Sequence, residues 1–290
     1  MPLLKSLKKK FISFAGNPKL FIDKAKKRLV QLMTNGLTHL LFDLLEKLIN
    51  PYPNNYKHEA VEKGYSVVVI SGGQDLVMLE NSLQSIANEL TGTLSEIVLV
   101  GPSNIKLRRS FGVPIKFWAY HDLKFLSPLI TRKKNIGVSL CRYDKVVICH
   151  DYILFEPGWQ AGWKKFGDNF EVAINIINDQ DGSRFRDWLV LDYPGVGAGF
   201  LPYHVEATPY QYISGTYFVV KRDFYLANLL DERLRWGEGE DIEWSKRVRL
   251  KTIFKFNSYS QVRCAKLKGP TLIWQQNNLV LEKLFSNQSN

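Results

Sequence analysis

Apolar positions along this 290-residue chain follow one spacing before residue 50 and another after residue 60. In the first stretch Leu3, Leu4, Leu7, Phe11 and Phe14 recur at helical spacing between lysines, and Leu20, Phe21, Leu29 and Leu32 continue the habit. The most apolar stretch, residues 37–49, is interrupted by Asp43, Glu46 and Lys47 and falls short of the roughly 18 residues that span a bilayer. Asn50-Pro51-Tyr52-Pro53-Asn54-Asn55 breaks helices. It divides the chain into residues 1–55, a helical segment and linker, and residues 56–290, the main domain.

After the linker the period shortens. Residues 65–70 (YSVVVI) form a β-branched run ended by Ser71-Gly72-Gly73, a helical pattern covers Leu76 to Leu90, and EIVLV at 96–100 ends at Gly101-Pro102. Strand, glycine turn, helix and strand make a βαβ unit, which predicts a parallel sheet. Further strands are predicted at 114–120, 145–149, 172–177 and 212–220, with a helix at 131–141. The fold class is α/β, a mixed, mostly parallel sheet flanked by helices. Residues 193–211, with Gly195, Gly197, Gly199, Pro202 and Pro209, read as a loop too long to be mere connection.

Composition sharpens this picture in two places. The cysteines, Cys141, Cys149 and Cys264, are three in number and form no CxxC pair, which argues against a sulfur-built zinc site and for a reducing compartment. The net charge of +11 is concentrated: residues 1–30 hold nine Lys or Arg against the single acid Asp23, a local +8 that leaves +3 for the remainder. A basic helix with Leu and Phe on its other face suits an anionic membrane surface; the alternative is an ordinary solvated helix packed on the body. Nucleic acid is not expected as a partner, because the aromatic residues lie mostly outside the basic segment. No lysine-rich start is followed by a long apolar core and a small-residue cleavage site, so the expected location is cytoplasmic, peripheral at the membrane.

In open α/β sheets ligands sit outside the carboxyl ends of the strands. Three polar clusters fall there: Ser71-Gly72-Gly73, Ser103-Asn104 and His150-Asp151. The glycines admit close approach of backbone to a ligand, although taken alone Gly72-Gly73 is a weak signal that a plain tight turn explains better. An acid and an imidazole at the end of one strand are candidate metal or sugar contacts. A hard cation, Mn²⁺ or Mg²⁺, needs few protein acids when a diphosphate supplies further oxygens.

Residues 132–151, RKKNIGVSLCRYDKVVICHD, resemble the segment of GT-A glycosyltransferases, especially family 2 and its relatives, in which a basic residue, Asn and a small residue open a helix and the next strand ends in a DXD-type acidic motif. Lys134-Asn135-Ile136-Gly137 matches the first part, and His150-Asp151-Tyr152 stands where the acids would be. The resemblance, which covers roughly residues 65–250, implies a GT-A (Rossmann-like) fold and a nucleoside diphosphate sugar held by Ser71, Gly72, Gly73, Ser103, Lys134, Asn135, His150, Asp151, Ser214 and Gly215. It also implies a divalent cation, manganese or magnesium, on Asp151 and His150. Two departures stand out: His150 and Tyr152 replace acids, and Gly101-Pro102-Ser103 stands where the family often places an acid facing the base.

The nine residues WGEGEDIEW at 236–244 crowd Glu238, Glu240 and Asp241 into four positions between two tryptophans. They look like the Glu-Asp motif that starts a helix in inverting GT-A enzymes, with Glu240 and Asp241 as the catalytic pair and Asp241 as general base. Acids are favoured in a first helical turn, where free N–H groups and the dipole offset their repulsion. Trp236, Glu238, Trp244 and His204 are the candidate contacts to a glycan or lipid-linked acceptor, with Lys134 beside the leaving diphosphate. Asp179 and Asp181 are either acceptor contacts or turn residues. A nucleotidyltransferase shares the topology, but its glycine loop runs on to Gly-Thr-Arg, where this chain has Gln74-Asp75-Leu76. A catalytically impaired, glycan- or nucleotide-sugar-binding scaffold is the rival from another class, and the altered acidic motif is its evidence.

Overall fold

The computed structural model describes residues 36–53, 62–123, 126–266 and 272–286; the basic stretch 1–30 lies outside them. The chain forms two compact units, residues 1–51 with 122–128, and residues 52–121 with 129–290. In the first unit the described helix is α1 (Gly36–Ile49), which ends where Asn50 bonds back to the Glu46 carbonyl and Pro51 follows. No helix among the described residues is long and apolar enough to cross a membrane.

The second unit is built on strands β1 (Glu62–Ile70), β2 (Ser95–Gly101), β3 (Ile115–Ala119), β4 (Tyr143–His150), β5 (Ile153–Phe155), β6 (Val172–Asn178), β7 (Leu189–Tyr193), β8 (Gly197–Phe200), β9 (Gln211–Tyr212), β10 (Tyr217–Lys221) and β11 (Lys255–Cys264). Its helices are α2 (Leu76–Leu90), α3 (Ile130–Ser139), α4 (Trp159–Phe166), α5 (Arg222–Leu226), α6 (Glu240–Val248) and α7 (Leu272–Ser286). Eight strands form one sheet in the order β3-β2-β1-β4-β10-β6-β11-β5, and β8-β7-β9 form a second. Strands β1 to β4 run parallel, β10 is antiparallel to both β4 and β6, and β11 is parallel to β6.

The local chemistry explains the parallel half. Val67, Val68 and Val69 of β1, and Val146, Val147 and Ile148 of β4, are fully buried, as strands covered on both faces must be. Each such side chain contributes about 1.5–3 kcal/mol by leaving water. Asp75 caps α2 by accepting from the Met78 N–H at 2.9 Å, and Leu79, Leu83, Ile86 and Leu90 then line the face that meets the core.

Two sequence expectations need correcting. Residues 212–220 are not one strand: Ile213 to Thr216 leave the ladder, and only Tyr217–Lys221 pair with β4. The stretch 193–211 is not a bare loop but carries β8 and part of β7, joined by a turn in which Gly195 and Gly197 take φ of 73° and 86°. Those left-handed glycines close a hairpin, and the same glycines made the stretch look irregular. The helix α7 was not foreseen either; Asn277 and Asn278 tie it to β8 by bonds to Ala198 and Phe200 of 2.7 Å each. The three cysteines are free and buried.

Candidate active site

The carboxyl ends of β1, β2 and β4 lie along one sheet edge, and the antiparallel β10 begins at that edge, with Tyr217 opposite Cys149. Ser71 leaves β1 buried, and its hydroxyl donates to Asp151 Oδ2 at 2.6 Å while accepting the Gly73 N–H at 3.0 Å. Asp151 is itself tied to β1 by its own N–H, which donates to the Ile70 carbonyl at 3.2 Å. The predicted group Ser71, Gly72, Gly73, His150 and Asp151 is thus one cluster. The His150 N–H donates to the Thr216 carbonyl at 3.3 Å, which brings Ser214 and Gly215 to the same edge. Ser103 stands exposed just past β2.

Across this edge stands the start of α6. Gly237 and Gly239 take φ of 85° and 82°, left-handed conformations that an L side chain adopts at a cost, which explains the glycines on either side of Glu238. The acids then diverge. Glu238 turns back to accept the Arg235 N–H at 2.8 Å and is exposed, so its carboxylate closes its own turn. Glu240 is buried beside Lys134. Half-buried Asp241 accepts the Gly215 N–H through Oδ2 at 2.8 Å and the Ile242 N–H through Oδ1 at 2.9 Å. The repulsion implied by three adjacent acids is relieved because each carboxylate meets a different partner.

Lys134 is fully buried on α3, and its Nζ donates to the Gly215 carbonyl at 2.8 Å. Burial lowers its pKa, opposed by the neighbouring charges of Glu240 and then Asp241. Burial likewise raises the pKa of Glu240, with Lys134 opposing and Asp241 reinforcing the shift. Lys134 is therefore enclosed as an internal counter-charge of the acids, where the sequence implied a place beside a leaving diphosphate.

Gly215 sits between these groups, where an added Cβ would lie 3.0 Å from Lys134 Nζ and 3.3 Å from Asp241 Oδ2. Gly215→Ala should push the Asp241 carboxylate off its backbone donor. Turnover is expected to fall roughly ten- to a hundredfold, the scale of a small misplacement beside a reacting centre, with some loss of stability because the same Cβ crowds the buried Lys134 Nζ. A variant with wild-type turnover would show that this close approach does not position Asp241.

Other predicted residues are placed differently. The Asn135 amide is saturated: Nδ2 donates to the Leu230 carbonyl at 2.9 Å and to Glu232 at 3.1 Å, and Oδ1 accepts from the Tyr225 hydroxyl at 2.9 Å and the Leu230 N–H at 3.1 Å. With Thr131, bonded to the Leu234 carbonyl, and Arg132, paired to Glu232 at 2.6 Å, it anchors the loop that leads into α6. Asn135 therefore braces the site from behind. Trp244 is 1% exposed, bonded to the Asn228 carbonyl at 2.6 Å and packed on Phe218, Tyr225 and Phe254, so its ring is closed to a sugar face. Trp236, 48% exposed, keeps an open ring. His204 is exposed on the loop after β8, which Trp188 fastens through the Val205 carbonyl at 2.8 Å. Asp179 and Asp181 close the turn after β6, Asp181 through Ser183.

Sequence reasoning missed Arg186, the one non-glycine residue among the described ones with positive φ, 30°. Its charge acts on the phenols of Tyr152 and Tyr212, both pushed upward chiefly by burial. Strain of this kind often accompanies functional sites, but nothing in the letters around it signals the conformation.

For a divalent cation the donor set is small. No group of three or more His, Cys, Asp or Glu side chains that could hold a metal occurs among the described residues. His150 and Asp151 are adjacent at the strand end, with the imidazole stacked on Tyr152 at 5.2 Å between ring centres. The Asp151 carboxylate fits a cation that draws most of its ligands from phosphate oxygens and water, the usual habit of Mg²⁺.

No protein-family model and no curated protein matches the chain. Among solved structures, GalNAc-T7, crystallised with UDP, GalNAc and Mn²⁺, superposes with a TM-score of 0.52 at 15% identity, over 80% of this chain and 51% of its own. TarS of S. aureus (residues 1–349), in complex with UDP-GlcNAc, gives a TM-score of 0.47 at 14% identity, over 71% of this chain and 60% of its own. This chain thus spans about half the length of the first and 60% of the second. Together with the sheet order and the site at its carboxyl edge, the likeness to GalNAc-T7 identifies the fold: this chain has the GT-A-like, Rossmann-related architecture of glycosyltransferases.

Proposed function

We propose that this protein transfers a sugar from a nucleoside diphosphate sugar to a hydroxyl of a glycan or lipid-linked acceptor, with inversion at the anomeric carbon. The observation that carries this reading is the Asp241 carboxylate, half-buried at the start of α6 and fixed by the N–H of Gly215, whose neighbour Thr216 accepts the His150 N–H at the strand end. The acceptor oxygen attacks the anomeric carbon, its proton passes to Asp241, and the bond to the nucleoside diphosphate breaks. Ser71, Gly72, Gly73, His150, Asp151, Ser214 and Gly215 frame the donor. Trp236 offers an open ring to the acceptor. His150 and Asp151 would hold Mn²⁺ or Mg²⁺, which when bound offsets charge on the diphosphate.

The basic residues of 1–30 give the protein an anionic membrane surface as a partner and a peripheral place at the cytoplasmic face. A nucleotide-sugar-binding scaffold remains the second reading, favoured by the small donor set of His150-Asp151-Tyr152. A thermal-shift panel of nucleoside diphosphate sugars, each with and without Mn²⁺, tests the donor: one sugar nucleotide should raise the melting temperature, since a ligand of the folded state alone stabilises it. A folded protein that responds to none overturns the donor assignment. Stabilisation without transfer to any acceptor selects the scaffold.

A further inference from the structure

Helix α1 (Gly36–Ile49) is inverted with respect to water. Leu40, Leu41, Leu44, Leu45, Leu48 and Ile49 are all exposed, by between 42% and 78%, whereas Glu46 is fully buried, Asn50 is buried, and Asp43 and Lys47 are half-buried. At 3.6 residues per turn the six apolar side chains fall within one half of the helix circumference and Asp43, Glu46, Lys47 and Asn50 on the other. A helix that faces water carries its leucines inward. This one turns its charged half inward and presents a continuous leucine face outward, which is the polarity expected where the outer medium is not water.

We propose that the leucine face of α1 seats in the acyl–headgroup boundary of an anionic bilayer. The proposal rests on the membrane-surface location put forward above and adds to it a separate, apolar contact. The helix has 14 residues, so at about 1.5 Å per residue it is too short for the roughly 30 Å hydrocarbon core and lies along the surface. Charge selects lipid over a second copy of the chain. The net +8 of residues 1–30 lies only five residues before α1 in the chain, so two copies joined through this face would bring like charges together, while an anionic lipid surface attracts them.

The two contacts differ in salt dependence, because screening weakens the lysine contact and leaves apolar burial intact. The full-length protein, the triple variant Leu41→Ser/Leu44→Ser/Leu48→Ser and the charge variant Lys8→Gln/Lys9→Gln/Lys10→Gln are sedimented with vesicles of phosphatidylcholine containing phosphatidylglycerol, at low and high salt. The triple variant should partition about tenfold less than wild type at both salt concentrations, and the charge variant should lose binding at low salt only. An environment-sensitive dye attached at Leu48→Cys, accessible while the three native cysteines are buried, should shift to the blue on these vesicles and stay shifted in high salt. Wild-type binding by the triple variant together with an unshifted dye overturns the α1 contact, and the basic-segment reading stands if the charge variant still fails to bind. Absence of vesicle binding by wild type overturns both. A wild-type dimer in solution that the triple variant dissolves, with vesicle binding unchanged, assigns the face to a second copy and overturns the proposal.

Discussion

Asp241→Asn is expected to lower the transfer rate by roughly 10²- to 10⁴-fold, the usual contribution of a positioned general base, while leaving affinity for the sugar nucleotide unchanged. The amide is isosteric with the carboxylate, and its oxygen can still accept the Gly215 N–H that now donates to Oδ2 at 2.8 Å, at the cost of the Ile242 N–H that now donates to Oδ1 at 2.9 Å. The loop 213–216 therefore keeps its course, held also by the Ile213 N–H, which donates to the Ser245 hydroxyl at 3.0 Å. What disappears is the capacity to take a proton, together with the Ile242 bond and one of the two charges beside Lys134. Single-turnover rates with the donor identified in the thermal-shift panel measure the first effect, and titration of donor into the variant measures the second. The anomeric configuration of the wild-type product, read by NMR before it equilibrates, is the companion test. Near-normal turnover in the variant, or a product of retained configuration, would remove Asp241 from the role of base.

The parallel core was legible because its signals are local. β-Branched runs that end in Ser71-Gly72-Gly73 or Gly101-Pro102 declare both strand and strand end, and Leu76–Leu90 carried its helical period together with its cap, Asp75. The Glu240-Asp241 helix start was equally local. What stayed hidden depended on partners far away in sequence. Nothing local marks Asn135 as saturated by groups some 95 residues on, or Lys134 as buried against Gly215, 81 residues on. Helix α3 buries Arg132, Lys133 and Lys134 alike, so its cations mimic a solvated face when read from the letters. Trp244 was recoverable in principle. Four residues after Glu240 it returns to the same face of α6, and both are buried, whereas Trp236 precedes the helix and is exposed.

Lys134→Met should destabilise the protein by about 3 kcal/mol or more, the scale seen when one partner of a buried charge pair is removed. Lys134 has no solvent of its own: it is 0% exposed, bonded to the Gly215 carbonyl, and flanked by Glu240 and Asp241. Without it Glu240 remains 7% exposed, its ionised form already opposed by burial and by Asp241 and no longer offset by a cation. Adding Glu240→Gln to the variant removes that stranded charge and should restore a substantial part of the loss, a non-additivity that residues in one network display. Urea unfolding midpoints of the wild type, both single variants and the double variant measure it. The same proteins decide between two roles for the lysine. A lysine placed to neutralise a leaving diphosphate would cost turnover with stability unchanged, and additive single effects would point to that role. A counter-charge holding the acids costs stability first, and the double variant recovers it, because the benefit of Lys134 lies in the acids it offsets rather than in any ligand it touches.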